Sequence, residues 1–214
     1  MVKRCYFLMK TKQNHNSKSN SISLLQVIVV HSKAIALIGI IIFLLLSISS
    51  IYFYPKYDFF NQYLSDLGVG STSLLFNSGI IIASILLLPF IFSLYKPYSF
   101  LSQTTCFLGF ASVIFFAGIA VFPLNFQSIH SFIAGLFFLL MSFFILFALL
   151  LHLKDWLKIQ PKPILVESIF LLLSIFTILV TCIFLFFIFT PLMQKLSITS
   201  IVLWVFLFIF LHKR

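Results

Sequence analysis

Six apolar runs, each close to 20 residues long and almost free of charge, divide this 214-residue chain. A helix rises about 1.5 Å per residue, so roughly 20 residues cross the ~30 Å hydrocarbon core of a bilayer. In that core every backbone N–H and C=O must find its partner inside the protein, which leaves only helices and closed barrels. Barrel strands alternate apolar and polar residues, and a stretch such as Leu136 to Leu151 does not alternate. Composition agrees: 8% of residues are charged and 62% hydrophobic, whereas a soluble domain needs roughly a quarter charged. The predicted fold class is all-α, a polytopic transmembrane helix bundle of about six spans.

Residues 1–33 read as a basic, flexible cytoplasmic tail with a short interfacial segment, and residues 34–214 as a six-helix membrane domain. Lys3, Arg4, Lys10, Lys12 and Lys18 flank an Asn/Ser-rich stretch with too little apolar content to fold. Cys5 to Met9 is too short for the apolar core of a signal peptide. Ile22 to Val30 is apolar but is closed by His31, Ser32 and Lys33. A lysine at mid-membrane costs about 2.5–3.5 kcal/mol, so this segment is expected along the interface, with the first span starting at Ala34. Later spans are expected near 72–95, 100–122, 130–151, 164–189 and 197–211. Pro55, Pro97, Pro123, Pro161, Pro163 and Pro191 fall between them, where no helical N–H is lost. Pro89 alone falls within one and predicts a mild kink.

Charge sets the expected orientation. With the N-terminus inside, the tail lysines, Lys33, Lys96, Lys154, Lys158, Lys162, Lys213 and Arg214 share the cytoplasmic side. Only Lys56 and Lys195 are left outside. Basic residues are retained on the cytoplasmic side, so both ends are predicted inside, in a prokaryotic plasma membrane. The net charge of +10 follows from this topology and calls for no nucleic-acid partner, since no soluble basic motif is present. The expected partners are membrane lipids, whose anionic headgroups suit the basic face.

Cys5, Cys106 and Cys182 are scattered and without metal spacing. They read as small hydrophobes, and the 30 phenylalanines as lipid-facing or core filler. No metal site and no cofactor are expected. A catalytic zinc site uses three protein ligands, and His130 is the one histidine expected on the outer side, with His15, His31, His152 and His212 inside. Of the four acidic residues, Asp155 sits among Lys154, Lys158 and Lys162 as a solvated ion-pair partner. Glu167 lies one turn into the fifth span, open to pairing with Lys33 or Lys162.

The outer loops hold the densest polar chemistry. The first runs from Tyr54 to Gly68 and contains Asp58, Asn61, Ser65 and Asp66; Ser71-Thr72-Ser73 can cap the next helix, and Asn77 follows inside it. The second, Phe122 to Ile129, leads into His130, with Ser131, Gly135 and Ser142 below it at a spacing that would admit a close helix neighbour. Asp66 and His130 are expected to approach directly or through one water, with the Gly68 turn supplying further donors. Asn61, Ser65-Asp66-Leu67-Gly68, Phe76-Asn77-Ser78-Gly79, Phe122-Pro123 and His130 together resemble the domain of unknown function 998 family, which consists of prokaryotic membrane proteins of about six helices. The resemblance spans roughly 34–212 and implies fold and topology but no reaction. Departing from the family's small-residue pattern, bulky Ile85 and Leu86 follow Ala83-Ser84. The Ser-Asp-Leu-Gly loop is also similar to that of the DRAM-like membrane family.

Three functional readings follow. The favoured one is a structural, sensing or lipid/ligand-binding bundle whose outer polar cluster pins the first loop to the bundle mouth, with Asp58, Asn61 and Asn77 as candidate binding residues. The alternative is a lipid-interface enzyme in which Asp66 orients His130 for acid–base work and Ser65 is the nucleophile. A small transporter is the third, although the middles of spans one, four and six lack the charges that midplane ion sites use.

Overall fold

The computed structural model describes residues 19–157 and 164–212. Helix α1 spans Ser19–Phe53, α2 Ser73–Ser93, α3 Phe100–Val121, α4 Gln127–Trp156, α5 Ile164–Phe186 and α6 Pro191–Leu211. Short 3-10 turns at Leu64–Gly68 and Gly70–Thr72 sit in the α1–α2 connection, and one at Leu124–Phe126 in the α3–α4 connection. Six helical segments are long and apolar enough to cross a membrane. The chain is an all-helical, multi-pass integral membrane protein. The stretch expected as a tail lies outside the described residues up to position 18, as do Lys158, Lys162, Lys213 and Arg214.

Consecutive helices pack on one another and α1 closes onto α6. The bundle therefore has two ends. One carries Lys33, Lys96 and Asp155 and is called the basic end here; the other carries residues 54–72 and 122–126 and is called the loop end. Helix α1 is continuous through His31, Ser32 and Lys33, so the segment expected at the interface and the first span form one rod. A break there would leave backbone groups unpaired, and Lys33 satisfies its ammonium by donating to the His212 carbonyl at the C-terminus of α6, where the helix dipole favours a cation.

The core is aromatic. Trp204 is fully buried, stacks on Phe170 and Phe208 with ring centroids 5.8 and 4.9 Å away, and meets Phe144 edge-on at 5.8 Å. Its indole N–H donates to Ser174 Oγ at 2.8 Å. Many other hydroxyls inside the helices return a bond to the preceding turn, as Ser84 does to Ile80 and Thr181 to Thr177, because hydrocarbon offers no other partner; the buried Ser47 hydroxyl, with no partner among the described residues, is an exception. Two glycines set the α1–α2 distance: a Cβ on Gly39 would stand 2.9 Å from Leu86 Cβ, and one on Gly79 3.1 Å from Leu46 Cβ. Gly135, expected to admit a neighbour, faces open space. The close approach of α3 to α4 comes instead from Gly109 against Phe144 and Gly118 against Ile133.

Helix α6 begins six residues before the expected Ser197. Thr190 caps it by accepting from the Met193 amide at 3.4 Å, and Pro191 takes the first helical position, where its missing N–H costs nothing. The polar residues Gln194 and Lys195 thereby fall inside the bundle rather than in a loop. Helix α2 runs on past Pro89 to Ser93.

Candidate functional site at the loop end

Asp58 begins an exposed, self-contained turn. Its Oδ1 accepts from the Phe60 and Asn61 amides at 2.9 and 3.2 Å, and its Oδ2 from Asn61 Nδ2 at 2.8 Å. These donors, the Asn61 side chain first, hold the carboxyl below its ordinary range. Asp58 and Asn61 are thus brought together, but their polar atoms bond within the turn.

The chain then dives into the bundle mouth. Leu64, Ser65, Leu67 and Gly68 are buried, and Leu67 packs with Phe43, Phe76 and Ile80. Asp66 does not point to α4; its Oδ2 accepts from the Tyr63 amide at 2.7 Å. Asn77 Nδ2 donates to the Gly68 carbonyl at 3.0 Å, and a Cβ on Gly68 would lie 2.8 Å from Asn77 Oδ1. Glycine is needed there for that approach; the left-handed backbone of the turn belongs to Gly70, at φ 75°. Thr72, the residue before α2, sends its hydroxyl to the Leu67 carbonyl at 3.0 Å instead of capping the helix.

Two residues absent from the sequence-based candidates hold this loop down. Gln194 Oε1 accepts from the Leu64 amide at 2.7 Å. Lys195, 6% exposed, donates its ammonium to the Gln62 carbonyl and lies 5.5 and 5.0 Å from the Tyr57 and Phe59 ring centroids. Asp66 is within electrostatic reach of both Lys195 and Tyr57. Burial foremost, with the Asp66 charge and Tyr54 adding to it, pushes the Tyr57 phenol up to about 12. The Tyr63 hydroxyl reaches the Phe189 carbonyl at 3.0 Å, tying the loop to the segment before α6. The sequence signal for these residues was the Thr-Pro pair at 190–191, which opens α6 early.

His130 is buried, and its Nδ1 lies 2.8 Å from the Phe122 carbonyl at the end of α3. The expected direct pairing of Asp66 with His130 does not form. Each has a nearer backbone partner left open by a helix or turn end, and short-range bonds of this kind win over a longer reach. Ser65 is buried beside Asp66 in the same turn, while the polar contacts of His130 and Asp66 run to backbone, at the Phe122 carbonyl and the Tyr63 amide, rather than to each other. Among the described residues no three His, Cys, Asp or Glu side chains gather as metal ligands.

Beneath this clamp, α1, α2, α3, α4 and α6 line a partly open apolar cavity of about 90 Å³, with residues such as Ile40, Ala83, Val113, Phe137 and Ile201 in its wall. The Ser112 hydroxyl at its wall is turned to the Leu108 carbonyl, 2.7 Å away. At the basic end, Asp155 pairs with Lys96 at 2.9 Å; Lys158 and Lys162, two of its expected neighbours, lie outside the described residues. Glu167 pairs with His152 at 2.5 Å, a partner supplied by the extra turn that carries α4 to Trp156.

The family model described as a protein of unknown function, DUF998, matches residues 37–211. No curated protein and no solved structure matches the chain. The match runs from the first helix to the end of the sixth, and the chain belongs to the DUF998 family.

Proposed function

We propose that the protein is a non-catalytic lipid-binding bundle that holds the end of an acyl chain in its centre, beneath a fixed loop on the extracytoplasmic face of a prokaryotic plasma membrane. The observation that carries this reading is the central cavity, walled by apolar atoms from five helices. An apolar cavity stays dry and takes an apolar guest. At about 90 Å³ it is smaller than the roughly 150 Å³ cavity that admits benzene, which favours a slender chain over a ring. The loop-end polar groups support a structural role, because Asp66, Asn77, Gln194 and Lys195 each bond backbone of the loop or of its turn. The lysine asymmetry supports a basic end in the cytoplasm with both termini inside.

Native mass spectrometry of protein purified in mild detergent tests this reading. Wild type retains a single-chain or phospholipid adduct, and Val202→Phe, which fills the cavity from α6, loses it without loss of fold. Equal retention by the two proteins would overturn the proposal.

A further inference from the structure

Helix α1 carries a buried hydroxyl that the fold leaves without a bond. Ser47 is 7% exposed, and its Oγ has no hydrogen-bond partner among the described residues. Its neighbours on the same helix behave differently: Ser49 donates to the Leu45 carbonyl at 2.8 Å and Ser50 to the Leu46 carbonyl at 2.7 Å. A buried hydroxyl without a partner keeps the full cost of leaving water. A bound molecule that brings a polar atom to it removes that cost.

Ala36, Ile40, Phe43 and Ser47 recur at the spacing of one helix face, and all are buried. Ile40 and Phe43 of that face line the central cavity. Ser47 follows one turn nearer the loop end. Helical Cα–Cβ bonds tilt toward the N-terminus, so its side chain leans back toward Phe43 and the cavity. Lys33 of α1 meets His212 at the end of α6, which runs the opposite way. Ser47 lies as far along α1 from Lys33 as Ile198 lies along α6 from His212, so the two stand at a similar depth. Ile198 is the α6 lining residue nearest the loop end, and the α6 wall runs from it to Phe208, a length of roughly 15 Å at about 1.5 Å per residue. The cavity is thus a long, narrow slot. Ser47 is level with its upper end, where Leu64 and Leu67 of the loop pack with Phe43.

We propose that Ser47 is a polar binding residue of this cavity, and that the bound molecule is a neutral amphiphile with a hydroxyl or carbonyl oxygen at the loop end of its chain. This rests on the lipid-binding reading above and names the chemical class of the ligand. The chain occupies the slot and its oxygen comes level with Ser47, whose hydroxyl donates to it. A carboxylate would carry its charge against an apolar wall, whereas a neutral oxygen needs a single partner, which Ser47 supplies. A trapped water fits less well, since it needs about two to four polar partners. The hydroxyl in the cavity wall, that of Ser112, is turned to the Leu108 carbonyl.

Native mass spectrometry of the full chain in mild detergent, with dodecanol or dodecane added, tests this on wild type and Ser47→Ala. Wild type is expected to retain dodecanol about tenfold better than dodecane, the effect of one buried hydrogen bond, and Ser47→Ala to retain the two alike. Without a guest, Ser47→Ala should melt no lower than wild type, because the hydroxyl it removes has no partner in the protein. A clear fall in melting temperature would show that Ser47 has such a partner and overturns the inference. Equal retention of the two probes by wild type, or a preference for dodecanol that survives in Ser47→Ala, also overturns it and leaves the acyl-chain cavity standing. Retention of neither probe by wild type overturns both. Methyl dodecanoate, whose oxygens only accept, separates the two sources of the oxygen. Retained like dodecanol, it identifies an acyl ester carbonyl; retained like dodecane, it identifies a free alcohol.

Discussion

The Gln194 side-chain oxygen accepts a hydrogen bond from the Leu64 amide at 2.7 Å, joining the start of α6 to a loop 130 residues earlier. The bond is buried, so its loss leaves an N–H without water. Gln194→Leu is expected to cost about 1–3 kcal/mol and to open residues 58–66 to protease, read as a lower melting temperature and a new cleavage site in that loop. Unchanged protease resistance would mean that Lys195 and Tyr63 hold the loop without this bond.

Asp66 and His130 are expected to act independently. Asp66→Ala removes the acceptor for the Tyr63 amide and His130→Ala the link to the Phe122 carbonyl. Each loss is expected to be about 1 kcal/mol, and the double variant to fall within roughly 0.5 kcal/mol of their sum. A larger coupling, measured by unfolding in detergent, would put the two residues back in one site.

His212 gives the protein an acid limb. Burial, together with the Lys96 and Lys33 charges, holds its imidazole down to about 4, against an ordinary value of 6.5. Unfolded chains therefore take up this proton first as pH falls. The associated stability is whole above about 6.5, declines from there and is gone near 4, a loss of up to roughly 3 kcal/mol. His212→Gln should flatten that limb of the stability–pH curve. A variant curve parallel to wild type would show that another group governs it.

Two glycines in the spans should behave oppositely. Gly39→Ala drives a methyl to 2.9 Å from Leu86 Cβ, an atom fixed to the α2 backbone, and is expected to cost about 1–3 kcal/mol. Gly135→Ala meets nothing within 4 Å and should be neutral or gain up to ~1 kcal/mol from helix propensity. Melting temperatures of the two variants decide, and equal effects would contradict the α1–α2 contact.

The apolar runs made the class and the number of spans legible, because run length and missing charge are properties of a segment by itself; the family was legible in local motifs such as Ser65-Asp66-Leu67-Gly68 and Phe76-Asn77-Ser78-Gly79. Partner choice was not legible in the same way. Asp66 and His130 were expected to meet because they share a face, yet a face does not reveal which backbone group a turn leaves open beside each side chain. Glu167 was matched to lysines by charge, and the length of α4 brings it a further partner, His152, that charge matching did not suggest. Lys195 looked like a loop cation until Pro191 was recognised as a first helical residue, and with it Gln194 moved into the bundle mouth. Cavities are set by how six helices meet, and no single segment encodes them.

The acyl-chain cavity is tested most directly by the fluorescence of Trp204. Its indole is fully buried but packs on Phe144 and Phe208, which line the cavity. In a Trp156→Phe background, where Trp204 is the one indole left of two, a lipid brominated near its chain terminus should quench the emission saturably and in competition with the unbrominated lipid. Val202→Phe should abolish that quenching. Emission that stays unquenched while the brominated lipid surrounds the protein would contradict the account, because it would show that no chain enters the bundle.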